Sequence, residues 1–323
     1  MRLVTNPRIQ ILTLPDRAEG QRWISQIAGV EMQTGGSLEF VMRGFGSPGY
    51  RSAFMALQED QIAGMAVSWK AEFHPFCTYV AMAITPDSLE EAGRRLLDEI
   101  VKRSEEPGRP LQTSIRETES KLASLYSQYG FQEVRRTYLT ALPLELVCDS
   151  RFELEIDQTV NLPQHYEIIN MSVLLSGRPH LTEELVRLVK RYYEATHTVN
   201  PPGEFALERW EQLCFSEDVV LEGSYVVITK HGIAAYAFLH KTDQPEALEL
   251  GWRGTRDAGS LPYSVLLASL QIRFALDHGY KQLEAEIDTT DPCAMAMFER
   301  YPFSREAALI TYQNTIHTKL VES

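Results

Sequence analysis

The chain has 323 residues, 44% of them hydrophobic and 23% charged, and a formal net charge of −13. That length supplies about two domains, each with material for its own core, in a composition ordinary for a protein in water. The acidic balance argues against a nucleic-acid partner, which needs a basic face, and is compatible with a cationic or amine-bearing substrate.

Taken in order, residues 16–27 read as a helix, with Trp23, Ile24 and Ile27 on one face. Residues 37–42 read as a short strand. Gly44 to Gly49 formally fits G-x-G-x-x-G, but a dinucleotide fingerprint needs a helix directly after it. A strand-like run follows instead and Pro48 sits inside the motif, so the spacing predicts a loop. Residues 51–57 and 62–69 pair as a hairpin. Residues 78–84 are near-continuously apolar, as a central strand is. A helix over 88–103 follows, with Ser88 as its N-cap and Glu90 and Glu91 in its first turn. A strand over 111–116, a helix over 119–128 ending at Tyr129-Gly130-Phe131, and a strand over 132–144 complete the first half.

Residues 147–165 are polar and acidic and contain Pro163, as a linker does. The second half opens with a strand over 166–171. Helices follow over 182–193, with Thr182 as N-cap, and over 207–215. Residues 224–229 and 233–240 form a hairpin around Lys230-His231-Gly232. A strand over 247–252 leads into a glycine-containing turn over 254–261, a helix over 262–278, a strand over 282–287 and a short helix over 292–299.

This order repeats the first half. LASLYSQYGF and AMAMFERYPF occupy corresponding places, as do ITPDSLEEAGRRLL and GTRDAGSLPYSVLL. The chain is therefore an internal duplication. The expected fold class is α/β with mixed sheets: two tandem units, 1–146 and 166–323, each a central sheet flanked by helices.

Cys77, Cys148, Cys214 and Cys293 are far apart with no C-x-x-C, which reads as buried thiols in a reducing compartment. The first residues, MRLVTNPRIQ, hold no apolar run of signal-peptide length, and no segment is long enough to cross a bilayer. The expected location is cytoplasmic, with no membrane partner. No two histidines have metal-ligand spacing on one helix, so no metal is expected. His278 reads as a helix C-terminal residue, and His240 as a strand end near a cleft.

A tight loop aimed at a helix N-terminus favours an anion, because free N–H groups and the helix dipole both point there. Residues 248–303, with Asp291-Pro292-Cys293-Ala294 and Phe298 to Phe303, resemble the acyl-CoA-binding half of the GNAT acetyltransferase superfamily. There a loop R/Q-x-x-G-x-G/A wraps the CoA pyrophosphate, and a later helix ends in N-x-x-A-x-x-x-Y-x-x-x-G-F. The whole chain resembles two GNAT units in tandem. The resemblance implies an acyl-CoA-dependent N-acyltransferase, with acetyl-CoA as donor and an amine of a small molecule or peptide amino terminus as acceptor.

The resemblance also distributes roles. In the first loop Asp87, Glu90 and Glu91 suit the helix dipole but repel a pyrophosphate, so a structural helix start and a retained CoA site both stay open. The second loop keeps two glycines, Arg253, Arg256 and Ser260, with Pro262 in the first helical turn. It implies cofactor contacts at Arg256, Ala258, Gly259, Ser260, Leu261 and, from the N-x-x-A position, Asp291. The family tyrosine that protonates the departing thiolate falls on Tyr126 in the first unit and on Phe298 in the second. Glu249 stands where the family commonly has a glutamate base, with Glu286 and Asp288 behind it. Tyr126 also reads as a core tyrosine, and Glu249 as a solvated strand-face carboxylate. The expected arrangement is a catalytic second unit with Glu249 as base. Catalysis through Tyr126 in the first unit, and a non-catalytic acyl-CoA-binding or interaction protein, are the alternatives.

Overall fold

The computed structural model describes residues 9–14, 18, 23, 35–104, 108–147 and 166–314. The helix expected over 16–27 lies outside these except for Ala18 and Trp23, and the linker expected over 147–165 lies outside them except for Val147.

The first half runs β1 (Gln10–Leu14), α1 (Gly35–Gly46), β2 (Tyr50–Gln58), β3 (Gln61–Trp69), β4 (Thr78–Ile84), α2 (Leu89–Arg103), β5 (Leu111–Arg116), α3 (Ser120–Gln128) and β6 (Gln132–Pro143). The second runs β7 (Tyr166–Asn170), α4 (Met171–Gly177), α5 (Thr182–Thr196), α6 (Leu207–Cys214), β8 (Tyr225–Thr229) and β9 (Gly232–Lys241). It continues through β10 (Ala247–Thr255), α7 (Leu261–Asp277), β11 (Gln282–Asp288), α8 (Pro292–Arg300) and β12 (Leu309–Asn314).

Two compact units form, and they exchange their last strands. Among the described residues, the first unit holds those up to Arg135, Val199–Gly203 and the whole of β12, while the second holds Arg136–Thr198 and Glu204–Ala308. The first sheet has the order β1-β2-β3-β4-β5-β12, and the second β7-β8-β9-β10-β11-β6. β12 lies antiparallel to β5, with Ile310 opposite Ile115, and β6 antiparallel to β11, with Tyr138 opposite Ile287. Two units are as expected; by contacts, β12 groups with the first and residues 136–143 of β6 with the second. The sixth position in each sheet is filled by the strand that the sequence assigns to the other half or, for β12, does not mark as a strand.

Local chemistry explains most elements. In α2 the residues Ala92, Leu96, Leu97 and Ile100 are buried at helical spacing, with Glu90 and Glu91 at its start and Lys102 and Arg103 at its end. α2 and α3 cover one face of the first sheet over Phe54, Met82, Ile84, Ile115 and Phe131. α1 covers the other over Met55, Val67 and Trp69. The strand expected over 37–42 is the middle of α1: Val41 and Phe45, one helical turn apart, are fully buried. Two expected caps are also corrected. The Ser88 hydroxyl bonds Gln58 Oε1 at 2.6 Å instead of capping α2. Thr182 is the first helical residue of α5, not its cap.

Candidate functional site

Each antiparallel sheet is interrupted by one parallel pair that parts along its length. β4 and β5 pair at Thr78–Leu111 and Tyr79–Gln112. β10 and β11 pair from Ala247–Gln282 to Leu250–Ala285. Beyond those points the facing backbone edges have no strand partner across the gap, so their N–H and C=O groups are available to something inserted there. In the second unit the β9–β10 ladder also slips between Leu250 and Arg253, a bulge at Gly251 and Trp252. In each unit a helix, α2 or α7, starts just past the first strand of the parted pair.

In the first unit neither α2 nor the 3-10 turn Pro86–Ser88 before it has a side-chain cap, so no side-chain acceptor occupies the start of this turn and helix. Two of the three acids that stand against this loop are drawn along the helix. Glu90 pairs with Arg94 at 3.5 Å and Glu91 with Arg95 at 3.1 Å. Across the gap, Tyr126 on α3 is fully buried and tilts against Phe131, ring centres 5.0 Å apart. Its hydroxyl and that of Thr113, the β5 residue next after the last paired one, are both buried beside each other, and neither bonds any other group. Burial pushes the Tyr126 hydroxyl well above the usual phenol range, Thr113 opposing the shift and Glu119 adding to it. A buried hydroxyl without a partner costs free energy, so this pair is set for a polar atom between β4 and β5.

The opposite face of the same gap carries a second polar group. Gln313 Nε2 donates to Gln112 Oε1 at 2.8 Å and to the Val199 carbonyl at 2.6 Å. Asn200 Nδ2 donates to Tyr79 Oη at 2.7 Å, and the Asn200 carbonyl meets His74 Nδ1 at 2.8 Å. Burial depresses the His74 imidazole below its ordinary value, favouring the neutral form, while its carbonyl contacts oppose the shift.

The second unit differs at each equivalent place. Asp257 caps the 3-10 turn Ala258–Ser260 that leads into α7: its Oδ1 accepts from both the amide and the hydroxyl of Ser260 at 3.0 Å. A carboxylate therefore stands where an anion would dock. Ala258 and Gly259 are exposed, Leu261 opens α7, and Pro262 lacks an N–H. Arg256 does not reach the loop's anion position. Its guanidinium bonds Glu184 Oε1 at 2.8 Å and the His231 carbonyl.

The gap in that unit is lined by the chain's own polar groups. Asp291 Oδ1 accepts from Tyr192 Oη at 2.7 Å and from the Cys293 and Ala294 amides at 2.8 and 3.2 Å. Burial raises the Asp291 carboxyl, against the pull of these donors and of Arg253. Arg253 is 4% exposed and reaches Met297 Sδ at 2.6 Å and the Gly251 carbonyl at 3.4 Å. Gly254 is tightly boxed, since a Cβ there would lie 2.6 Å from Tyr192 Cγ and 2.7 Å from Tyr236 Oη. Phe298 stacks on Tyr138, ring centres 4.9 Å apart, and the Arg305 guanidinium lies 3.8 Å from its ring centre.

Glu249 is half-exposed and opposite His240, whose Nδ1 lies 2.9 Å from Asp218 Oδ2. The Ser216 hydrogen bond, and after it His240, hold the Asp218 carboxyl below its usual range. On this side Trp252 meets Tyr193 and Trp210, with ring centres at 5.2 and 6.1 Å. Asp288 accepts from Thr137 Oγ1 at the end of β11; Glu286 lies near the middle of that strand. His278 closes on the Phe274 carbonyl at 2.7 Å.

Sequence reasoning missed the Asp257 cap, the Tyr192–Asp291 pair, Thr113 and the Asp218–His240 pair. Only the first had a local signal: an Asp three residues before Ser260 at a helix start is a capping pattern. Among the described residues no group of three His, Cys, Asp or Glu side chains could hold a metal, and no helix is long and apolar enough to cross a membrane.

No family model matches the chain, and no curated protein matches it in sequence. Solved structures do resemble it in fold. A GCN5-related N-acetyltransferase from Sphaerobacter thermophilus is 17% identical, with 94% of this chain and 95% of that one covered and a TM-score of 0.53. A tandem GNAT protein from the clavulanic acid biosynthesis pathway is 13% identical, with 95% and 98% covered and a TM-score of 0.51. A glucosamine N-acetyltransferase region of a fungal multi-domain β-N-acetylglucosaminidase is 10% identical, covering 96% of this chain and 38% of that one at a TM-score of 0.60. The repeated order, the parted parallel pair in each sheet and these likenesses together give the chain the tandem GNAT fold.

Proposed function

We infer that this chain is an acyl-CoA-dependent N-acyltransferase that handles its thioester in the first unit. The observation that carries this reading is the buried, unpartnered hydroxyl pair of Tyr126 and Thr113 beside the β4–β5 gap. The uncapped start of α2 fits the phosphates of the donor. The thioester supplies the acyl group and a thiolate leaving group. Tyr126, kept protonated by burial, is the acid that gives the thiolate its proton. An amine acceptor arrives as an ammonium and must lose one proton before it attacks. His74, held neutral by burial, is the base on the other face. The acetyl chain length and the amine class of the acceptor are carried by the resemblance.

A second reading places the chemistry in the second unit with Glu249 as base. What favours it is the half-exposed carboxylate beside the Asp218–His240 pair. It requires Asp257 to leave the Ser260 amide and Arg256 to leave Glu184. An amine panel with acetyl-CoA, followed by release of free thiol, separates the readings. Activity lost in Tyr126→Phe and kept in Glu249→Gln supports the first unit, and the reverse supports the second. Binding of acetyl-CoA without turnover on any amine points to a non-catalytic acyl-CoA-binding protein. Absence of acetyl-CoA binding by calorimetry overturns all three.

A further inference from the structure

A cleft of about 600 Å³ in the second unit lies outside the groups described so far, except for Arg256, Glu184 and His231. It is lined by His180, Glu183, Glu184, Arg187, Leu188, Arg191, His231, Ile233 and Arg256. Leu188 and Ile233 form a buried apolar floor. The rim is charged, and three separate stretches contribute to it. His180 precedes α5, and Arg187 and Arg191 follow one helical turn apart along it. His231 comes from the β8–β9 turn, and Arg256 from the end of β10.

The charges are not all used internally. Glu184 is engaged: its Oε1 takes the Ile233 amide at 2.8 Å and Arg256 Nη2 at 2.8 Å. Glu183 holds Arg187 through Nε at 2.9 Å and Nη2 at 2.6 Å. Among the described residues, the guanidinium of Arg191 and the rings of His180 and His231 have no hydrogen-bond or ion-pair partner. Three arginines against two glutamates leave the cleft cationic before either histidine is protonated.

A charged helix stripe is by itself only a solvated face. Two features separate this cleft from one. Arg256 and His231 join the cations of α5 from distant parts of the chain, and they do so in a protein of net charge −13. The field of such a protein repels anions, so a concave cationic site with a buried floor is a local reversal. Arginine forks match tetrahedral oxyanions in pairs of parallel hydrogen bonds, and three of them exceed what one carboxylate needs.

We propose that this cleft binds a phosphate ester, with Arg191 as its principal unengaged ligand and Arg187 and Arg256 released to it from Glu183 and Glu184. The phosphate belongs to one of two sources: the nucleotide end of an acyl-CoA, or a separate phosphorylated small molecule. The first source places the donor in the second unit and so rests on the second reading above; the second source holds whichever unit handles the thioester.

Calorimetry with pyrophosphate on the full chain tests it. Wild type is expected to bind in the millimolar range or tighter. Arg191→Ala is expected to weaken binding about tenfold and Arg191→Glu to abolish it, since charge-assisted bonds of this kind are the strong ones. Glu183→Gln frees Arg187 and is expected to tighten binding several-fold, a gain that misfolding cannot produce. Repeating the titration with saturating acetyl-CoA identifies the source. Competition assigns the cleft to the donor's own phosphates, and independent binding assigns it to a separate molecule. Absence of pyrophosphate binding to wild type, or equal affinity in wild type and Arg191→Glu, overturns the proposal.

Discussion

One carboxylate oxygen of Asp257 holds both the amide and the hydroxyl of Ser260 at 3.0 Å. This turns a loop that looks ready for an anion into one that already has its own. The cap and the charge can be separated by substitution. Asp257→Asn keeps an acceptor and removes the charge, so unfolding free energy in urea is expected to stay within about 0.5 kcal/mol of wild type. Asp257→Ala loses the cap and is expected to cost about 1 kcal/mol. If both variants are equally stable, the cap contributes nothing.

Tyr126 separates chemistry from packing. Its hydroxyl is buried with only the Thr113 hydroxyl beside it, so Tyr126→Phe removes a buried polar group that is poorly satisfied. Thermal unfolding is expected to be unchanged or shifted upward. Turnover is expected to fall by about a hundredfold to ten-thousandfold, the usual effect of losing a positioned acid. A drop in melting temperature of several degrees would show that Tyr126 is structural instead.

The Asp291 carboxyl titrates above its unfolded value because of burial. A carboxyl raised on folding binds its proton more readily in the native state. Its ionisation therefore subtracts stability above the raised pKa, and acidification through the window above 3.8 restores it. Asp291→Asn has no such titration. The stability difference, asparagine variant minus wild type, is expected to be more positive at pH 7 and to decrease as pH falls to 4. A difference that grows on acidification contradicts the assignment.

Removing residues 309–323 takes β12 from the first sheet. β5 then loses its antiparallel partner along all six paired positions, from Leu111–Asn314 to Arg116–Leu309. Hydrogen exchange is expected to show loss of protection in β5, while β10 and β11, which keep β6 beside them, stay protected. Uniform loss across both sheets would mean that the two units unfold as one.

Much of the fold is legible because it is written in local periods. The buried face of α2, the apolar run of β4 and the repeated ending at Phe131 and Phe303 follow from residues close in sequence. α1 was not legible, since a six-residue window around Val41 is too short to separate helical from strand spacing. Nor was the strand exchange, because β6 fits either sheet by pattern alone and β12 was not read as a strand. The site was legible as positions and not as states. Tyr126, Phe298, Arg256 and Asp291 could be named from the family resemblance. That Arg256 is held by Glu184, or that Tyr192 reaches Asp291 from 99 residues away, is decided by tertiary contacts. No local rule contains them.

The exchange of strands sets a timetable for synthesis. Gln313 on β12 meets Gln112 on β5 across 201 residues of sequence. At about 5–20 residues per second, the ribosome needs roughly 10–40 s between making one and the other. Throughout that interval β5 is an open sheet edge, a template for wrong pairing, and β12 is the strand that closes it. The half of the molecule that is translated first is the half that finishes folding last.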